Sequence, residues 1–266
     1  MNIASIIGFI MAGSVVWFGV IGPAANRNMF MDSHALILVI GGTMAAAFIA
    51  FPLKKIMGMF KVLVKEVMFK RSSPNVALVK EIIDASNVAK LDPAALGGRT
   101  ATHPFLKEGY QMIADGVLSD SELHEVLKKR SMFFKKDYGG DAKMFTALAK
   151  FPPAFGLLGA SSGMIAMMGS LGNGAGQQYI GQAMAIALVA TFWGIGIANL
   201  VLLPLADYYH KLADDDFYTR LLVMEGIMML KRRESPIVVV EKMNSFLHVS
   251  ERVNAPAAAS SGRRAA

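Results

Sequence analysis

Four long stretches of this chain carry apolar residues with none of the polar interruptions that a helix facing water would show. They run Ile3 to Gly22, His34 to Pro52, Phe151 to Leu171 and Tyr179 to Pro204, and after His34 none contains Asp, Glu, Lys, Arg or His. Roughly 20 apolar residues in a helix cover the hydrocarbon layer of a bilayer, so each stretch predicts a transmembrane helix. Elsewhere the pattern becomes one-sided. Between Asn75 and Ala89, apolar Val76, Val79, Ile82, Ile83 and Val88 are interleaved with Lys80, Glu81 and Asp84, the spacing of an amphipathic helix. Pro93, Gly97, Gly98 and Pro104 break the chain before a helical pattern resumes over Phe105 to Ala114. Ser119 and Glu122 then form a capping box that opens a helix reaching about Tyr138. After the fourth apolar stretch, Asp214 to Asp216 predict a helix start and Lys231, Arg232 and Arg233 its end, the charge order that the helix dipole favours. Ser235 and Pro236 predict the cap and first residue of a last helix through Leu247. The final APAAASSGRRAA is too poor in bulky apolar side chains to pack.

The predicted fold is therefore an all-α polytopic membrane protein. Transmembrane helices 1 and 2 occupy residues 1–52, a helical domain 53–150, transmembrane helices 3 and 4 residues 151–204, further helices 205–250 and a disordered tail 251–266. Charge orients the chain. Lys54, Lys55, Lys61, Lys65, Lys70 and Arg71 crowd the exit of the second stretch, Lys211, Arg220, Lys231, Arg232 and Arg233 follow the fourth, and Arg27 alone lies on the other side. Lysine and arginine near span ends stay in the cytoplasm, which predicts a bacterial inner-membrane protein with both termini and residues 53–150 inside. The loops Pro23 to Ser33 and Gly172 to Gln178 then lie outside. This placement accounts for the net charge of +7 without a nucleic-acid partner. No basic residue precedes the first stretch, which is longer than a signal-peptide core, so it is expected to remain as a span.

Candidate chemistry is sparse. With no cysteine, the chain has no disulfide, thiolate metal site or cysteine nucleophile. Glycine-rich phosphate loops and HExxH are absent, and His34, His103, His124, His210 and His248 are scattered, which predicts surface or interfacial positions and no metal site. No catalytic residue and no cofactor is expected, and the chain is not read as an enzyme.

Ion movement across a bilayer needs an ionisable group partway through. Either this chain moves no ions or a partner supplies the carboxylate. The polar residues at depth, Thr43, Ser161, Ser162, Thr191 and Asn199, are uncharged, and hydroxyls in such helices ordinarily bond back to the preceding turn. Gly156, Gly159 and Gly163 on the third stretch, with Gly194 and Gly196 on the fourth, permit backbone-to-backbone helix contact, either within the chain or with a partner. Pro153 follows Pro152 at the entry of the third stretch, where proline is tolerated in a first turn. Pro204 kinks the fourth if the helix continues into Asp207 to Lys211.

Four blocks in order, Phe30 to Thr43 (FMDSHALILVIGGT), His103 to Gly116 (HPFLKEGYQMIADG), Pro152 to Met168 (PPAFGLLGASSGMIAMM) and Ile180 to Asp207, resemble the flagellar motor stator A subunit family of MotA/PomA type, over roughly residues 1–250. The resemblance implies a torque-generating subunit in a homo-oligomeric ring, a pentamer around a dimer of a MotB-type B subunit whose single helix carries the ion-binding aspartate. It implies an ion pathway lined near Ala160, Ser161, Ala190 and Thr191, and conformational coupling through Pro153 and Pro204. A rotor switch-complex protein of FliG type would be met through the cytoplasmic charges, with Arg99, Glu108, Lys128, Lys129 and Arg130 as candidates; a solvated helix face explains the same charges. The family's usual Leu-Glu pair is missing, since Leu96 is followed by Gly97 and Gly98. Sodium-driven members resemble GT where this chain has Gly159 and Ala160, and TT where it has Ala190 and Thr191. A dehydrated cation wants several oxygen ligands, so the translocated ion is expected to be H+ and not Na+. Two other classes compete: an ExbB/TolQ-like energiser of envelope transport, disfavoured by the large segment between the second and third stretches, and a transporter of a neutral solute, disfavoured by the lack of binding groups at depth.

Overall fold

In the computed structural model, which describes residues 3–23, 30–58, 75–172 and 177–254, the chain is helical and has no strand among those residues. The elements are α1 (Ile3–Ser14, continued by a wide π turn Val15–Ile21), α2 (Ser33–Ala50, with a π turn at Ile37–Gly41), α3 (Asn75–Leu91), α4 (Pro104–Asp115), α5 (Asp120–Leu148), α6 (Phe151–Gly172), α7 (Gln177–Ile197), α8 (Leu203–Lys231) and α9 (Pro236–Asn244). Another π turn, Ala198–Leu202, joins α7 to α8 without a break. Among the described residues, three stretches are long and apolar enough to cross a membrane, Ser33–Ala50, the apolar part of Asp120–Gly172, and the apolar part of Tyr179–Lys231, and a shorter apolar helical run covers Ile7–Ile21. Their outward faces carry large apolar side chains, with Ile49 at 89% exposure and Ile165 at 73%. Water does not tolerate contiguous surface of that kind, whereas lipid does.

Two compact units divide the chain, Met1–Arg71 with Gly139–His210, and Ser72–Tyr138 with Lys211–Ala266. In the second unit, α3, α4, α9 and the flanking parts of α5 and α8 enclose a core of Leu78, Ile82, Leu106, Leu127, Leu222, Ile227 and Val239. Two glycines notch this core. A Cβ on Gly109 would overlap Ile227, and one on Gly226 would stand 2.6 Å from the Ile82 Cδ1. Two of the helical turns open on a side-chain cap ahead of proline, whereas Ser235, expected to cap α9, precedes Pro236 without a side-chain capping bond. The Asp92 carboxylate accepts the Ala94 N–H at 2.9 Å to start the turn Pro93–Leu96, and His103 Nδ1 accepts the Phe105 N–H at 3.2 Å ahead of Pro104. Gly116 ends α4 in the left-handed region at φ 67°, which glycine adopts without a Cβ clash.

Several expectations need correction. The Ser119–Glu122 box forms, but α5 runs to Leu148, ten residues beyond Tyr138, because Ala142, Phe145 and Leu148 supply a further apolar face that packs on Leu205 and Tyr209 in the first unit's lower core. Asp214 to Asp216 do not start a helix; they lie inside α8, where Asp216 reaches Arg220 one turn on. The last helix stops at Asn244 and not Leu247, its end held by Asn244, which exchanges hydrogen bonds of 2.9 Å with the backbone N–H and carbonyl of Val253. That clasp orders residues 251–254, assigned in sequence to the tail; 255–266 lie outside the described residues. His103 is buried, not superficial. The basic residues Arg27, Lys61, Lys65, Lys70 and Arg71, and the outer loops over 24–29 and 173–176, also lie outside the described residues.

Candidate functional site

The helices α6 and α7 are the most intimately packed pair of the first unit, and their contact is made of glycine. A Cβ built on Gly156 would lie 2.9 Å from the Ala190 carbonyl oxygen and 3.3 Å from Thr191 Cα; one on Gly163 would lie 2.7 Å from the Ala183 oxygen. From the other side, a Cβ on Gly194 would stand 2.6 Å from the Pro152 carbonyl oxygen. The small residues seen in sequence thus serve contact within the chain, one of the two uses left open. Gly196 faces open space. A second layer backs the pair: Leu38 and Val39 of α2 reach Gly159 and the Ala190 cluster, and Phe155 fills the space over Gly42. Trp193 Nε1 donates to the Phe30 carbonyl at 2.7 Å, and Phe30 meets Phe192 edge-on at 5.5 Å.

This packing separates the four residues named for an ion pathway. Ala190 is fully buried between α6 and α2, and Ala160 and Thr191 are half-buried. Thr191 Oγ1 donates to the Ala187 carbonyl at 3.1 Å and lies 3.5 Å from the Gly156 carbonyl of α6. Ser161 is exposed, its hydroxyl bonded to the Leu157 carbonyl at 3.0 Å. Thr43 and Asn199 likewise bond back to Val39 and Ile195. Leu157, Ser161, Met164 and Met168 share one exposed stripe of α6 at helical spacing, opposite the glycines. That stripe sets a single hydroxyl, Ser161, among apolar groups. Pro153 sits in the first turn of α6, as expected of a proline tolerated there. Pro204 lies in the first turn of α8, directly after the π turn Ala198–Leu202. The chain remains helical because the wide turn makes room where the ring would crowd the preceding carbonyls and where the amide hydrogen is missing.

The charges named as rotor contacts in the sequence are brought together only in part. Arg130 Nη1 of α5 donates to Glu108 Oε2 of α4 at 2.6 Å, and Lys129 pairs with Glu125 at 2.6 Å. Lys128 is exposed and makes no ion pair among the described residues, and Arg99 is half-buried in the segment before α4. Sequence reasoning missed the buried ion pair of this unit, which centres on Arg220. Its Nε donates to Asp216 Oδ2 at 2.7 Å, and its guanidinium stacks between Phe134 at 3.8 Å and Phe105 at 5.2 Å. The i, i+4 spacing of Asp216 and Arg220 was visible; the aromatic walls, over 80 residues away, were not. Tyr110 is buried with its hydroxyl unpartnered, and burial, reinforced by Glu81, holds its ionisation well above the usual tyrosine range. No cluster of three or more potential metal ligands occurs among the described residues.

Residues 98–219, which contain α6, α7 and the segment that precedes them, match the model of the MotA/TolQ/ExbB proton channel family. Over nearly its whole length it is also similar to a motility protein A from Cereibacter sphaeroides, at 29% identity covering 97% of this chain and 100% of that one. The chemotaxis protein PomA of Vibrio alginolyticus is 25% identical over 95% of this chain and 98% of its own. The fold superposes on a subunit of the C. jejuni MotAB structure with a TM-score of 0.83 at 22% identity, covering 96% of this chain and 99% of that one. The flagellar MotAB stator complex of Bacillus subtilis gives 0.80 at 24% identity, covering 93% of this chain and 96% of that one.

Proposed function

We propose that this chain is the torque-generating A-type subunit of a flagellar stator, which forms with a one-span B-type subunit an ion path that couples ion flow to rotor rotation. The observation that carries the reading is the α6–α7 pair: two apolar helices fused along glycine, without Asp, Glu, Lys, Arg or His in either span, with the uncharged Ser161 and Ser162 exposed on α6. Such a pair conducts nothing by itself, since a membrane proton path needs an ionisable group. It is suited to flank a helix that brings one, and the curated relatives named motility protein A support that use.

In this reading the chain has four spans in a bacterial inner membrane, both termini and residues 53–150 inside, and the subunits form a pentameric ring around a B dimer. The partner's aspartate moves past Ala160, Ser161 and Thr191, with Ala190 supporting them from behind. Its charged form is costly in a low-dielectric setting, so protonation changes how the partner helix seats on the Ser161 stripe. Pro153, in the first turn of α6, and Pro204, in the first turn of α8, are the points where the helices yield. Arg99, Glu108, Lys128, Lys129 and Arg130 present charge to the rotor switch protein. Protons are the coupling ion: Thr191 and Ser161 offer two hydroxyl oxygens already engaged as donors, fewer than a dehydrated sodium ion requires.

Deleting the gene tests the reading. Cells that keep their filaments but do not rotate them, rescued by the wild-type gene, support it; normal rotation after removal of any paralogous stator overturns it. Swimming speed that follows external sodium at constant pH refutes the assignment of the ion.

A further inference from the structure

We propose that the turn Val249–Glu251 of one copy docks on the Met132–Phe133 face of α5 in a second copy, with Glu251 paired to Lys136, and that this contact repeats from copy to copy. It rests on the reading of the chain as a subunit of a homo-oligomer, and assigns side chains to a contact that the reading leaves open.

Two patches of the second unit leave apolar side chains uncovered by any described residue. On α5, Met132 and Phe133 stand side by side at 57% and 67% exposure, and the exposed Lys136 follows within a turn. Beyond α9, Val249 is 76% exposed on the short turn Val249–Glu251. This turn is held in place. The Asn244 side chain exchanges hydrogen bonds of 2.9 Å with the Val253 backbone, and the Glu251 N–H donates to the His248 carbonyl at 2.9 Å. The fold therefore presents Val249 outward on a fixed support, and apolar surface so presented marks a contact site.

Three matches between the patches select a second copy as the occupant. The first is level along α8. Phe134 stacks on Arg220 at 3.8 Å and Lys135 lies over the Phe217 ring at 4.3 Å, which sets Met132 and Phe133 beside residues 217–220. Phe246 packs on Tyr218 with ring centroids 5.9 Å apart, and the Tyr218 hydroxyl donates to the Phe246 carbonyl at 3.2 Å, so the turn that begins three residues later lies close to the same level. Copies related by rotation in a closed ring share one level, and faces at equal height are the ones that meet. The second match is direction. Phe217 and Tyr218 are successive residues, about 100° apart around α8, so the two patches face different ways and each copy offers one to each of two neighbours. The third is charge. Lys136 is followed by Asp137 on α5, and Glu251 is followed by Arg252 after the turn; all four are exposed, and the order of sign is reciprocal. Neither Lys136 nor Glu251 forms an ion pair among the described residues. A twofold contact of the α5 patch with itself would instead set Lys136 against Lys136. Phe133 and Val249 supply the buried anchor, and the charges fix its register.

The chain has no cysteine, so introduced thiols report the contact without background. Phe133→Cys and Val249→Cys are placed in two full-length chains with different tags, co-expressed, purified together in detergent and treated with a short bismaleimide. Because the two thiols are on different chains, only a contact between copies joins them. The mixed assembly should give covalent dimer carrying both tags at a yield about tenfold or more above either variant alone. Lys136→Glu added to the Phe133→Cys chain should lower that yield about threefold, and Glu251→Lys added to the other chain should restore it. An assembly whose native mass shows several copies but which gives no mixed dimer overturns the contact and leaves the subunit reading standing. A chain that is monomeric by mass overturns both. Phe133→Cys joining to itself as readily as to Val249→Cys overturns the contact by revealing a symmetric one, and a yield indifferent to both charge reversals overturns the pairing of Glu251 with Lys136.

Discussion

Replacing Gly194 by alanine adds one methyl group to the α6–α7 contact, and the geometry fixes what that group meets. The new Cβ would lie 2.6 Å from the Pro152 oxygen, 3.1 Å from Gly156 Cα and 3.2 Å from the Pro152 carbonyl carbon, whereas ordinary contact begins at 3.4 Å. All three are backbone atoms, so no side chain can swing aside, and the helices must part by about 0.8 Å. Overpacking of this kind costs about 1–3 kcal/mol. Gly196→Ala, two residues along the same helix, meets nothing within 4 Å and serves as the control. The control should be neutral or slightly stabilising, by up to about 1 kcal/mol, because alanine is the better helix former. Unfolding of the purified protein in mixed micelles, titrated with a denaturing detergent, reads both. Gly194→Ala should unfold at clearly lower denaturant and Gly196→Ala should not. Equal shifts would refute the argument that backbone proximity, and not glycine content, holds the pair.

Tyr110→Phe removes a buried hydroxyl that has no partner and should leave thermal stability unchanged or raise it by up to about 1 kcal/mol; a clear loss would reveal a bond that the geometry lacks. Asp216→Asn leaves Arg220 buried without its counter-charge and should destabilise the protein by about 3–5 kcal/mol, read as loss of folded protein on heating, whereas Arg220→Met, which removes the charge and keeps the volume between Phe105 and Phe134, should cost less. The Ser119 hydroxyl donates to Glu122 at 2.6 Å and holds its carboxyl below the usual carboxylate range. A depressed folded value means that the contribution is complete above the unfolded pKa and is lost as pH falls through the folded one, so the protection of amides at the start of α5, taken relative to the intrinsic exchange rate at each pH, should fall on acidification in wild type and be low at every pH in Ser119→Ala. Thr191→Ala removes only a bond back to its own helix and a 3.5 Å approach to Gly156, so stability should hold within about 0.5 kcal/mol while motility falls, and unimpaired swimming would take Thr191 out of the ion path.

What the sequence makes legible is whatever depends on near neighbours. The apolar runs, the Ser119–Glu122 box and the hydroxyls bonded back to their own helices all follow from residues within a turn or two. The continuation of α8 past Asp216 does not, because three successive acids resemble a helix start until Arg220 is seen to neutralise one of them between two phenylalanines from elsewhere in the chain. The same holds for glycine. Gly156, Gly159 and Gly163 announce close packing by their spacing, whereas Gly109 and Gly226 are isolated in sequence and gain meaning only from Ile227 and Ile82. For the ion-path residues, sequence identifies which are polar but not which way they point. The division between a buried Ala190 and an outward Ser161 comes from the register of α6 on α7.

That register has a mechanical consequence. Interfaces built from interlocking side chains slide or rotate by exchanging rotamers, but the seam between α6 and α7 has almost none to exchange, since backbone meets backbone at Gly156, Gly163 and Gly194. Close-packed surfaces shift between discrete arrangements and do not deform continuously, and this one has a single arrangement available to it. The pair therefore behaves as one stiff beam of double width. Any stroke that a working cycle demands of this unit is delivered at the ends of the beam or along its outer face, and the beam carries the load without absorbing it.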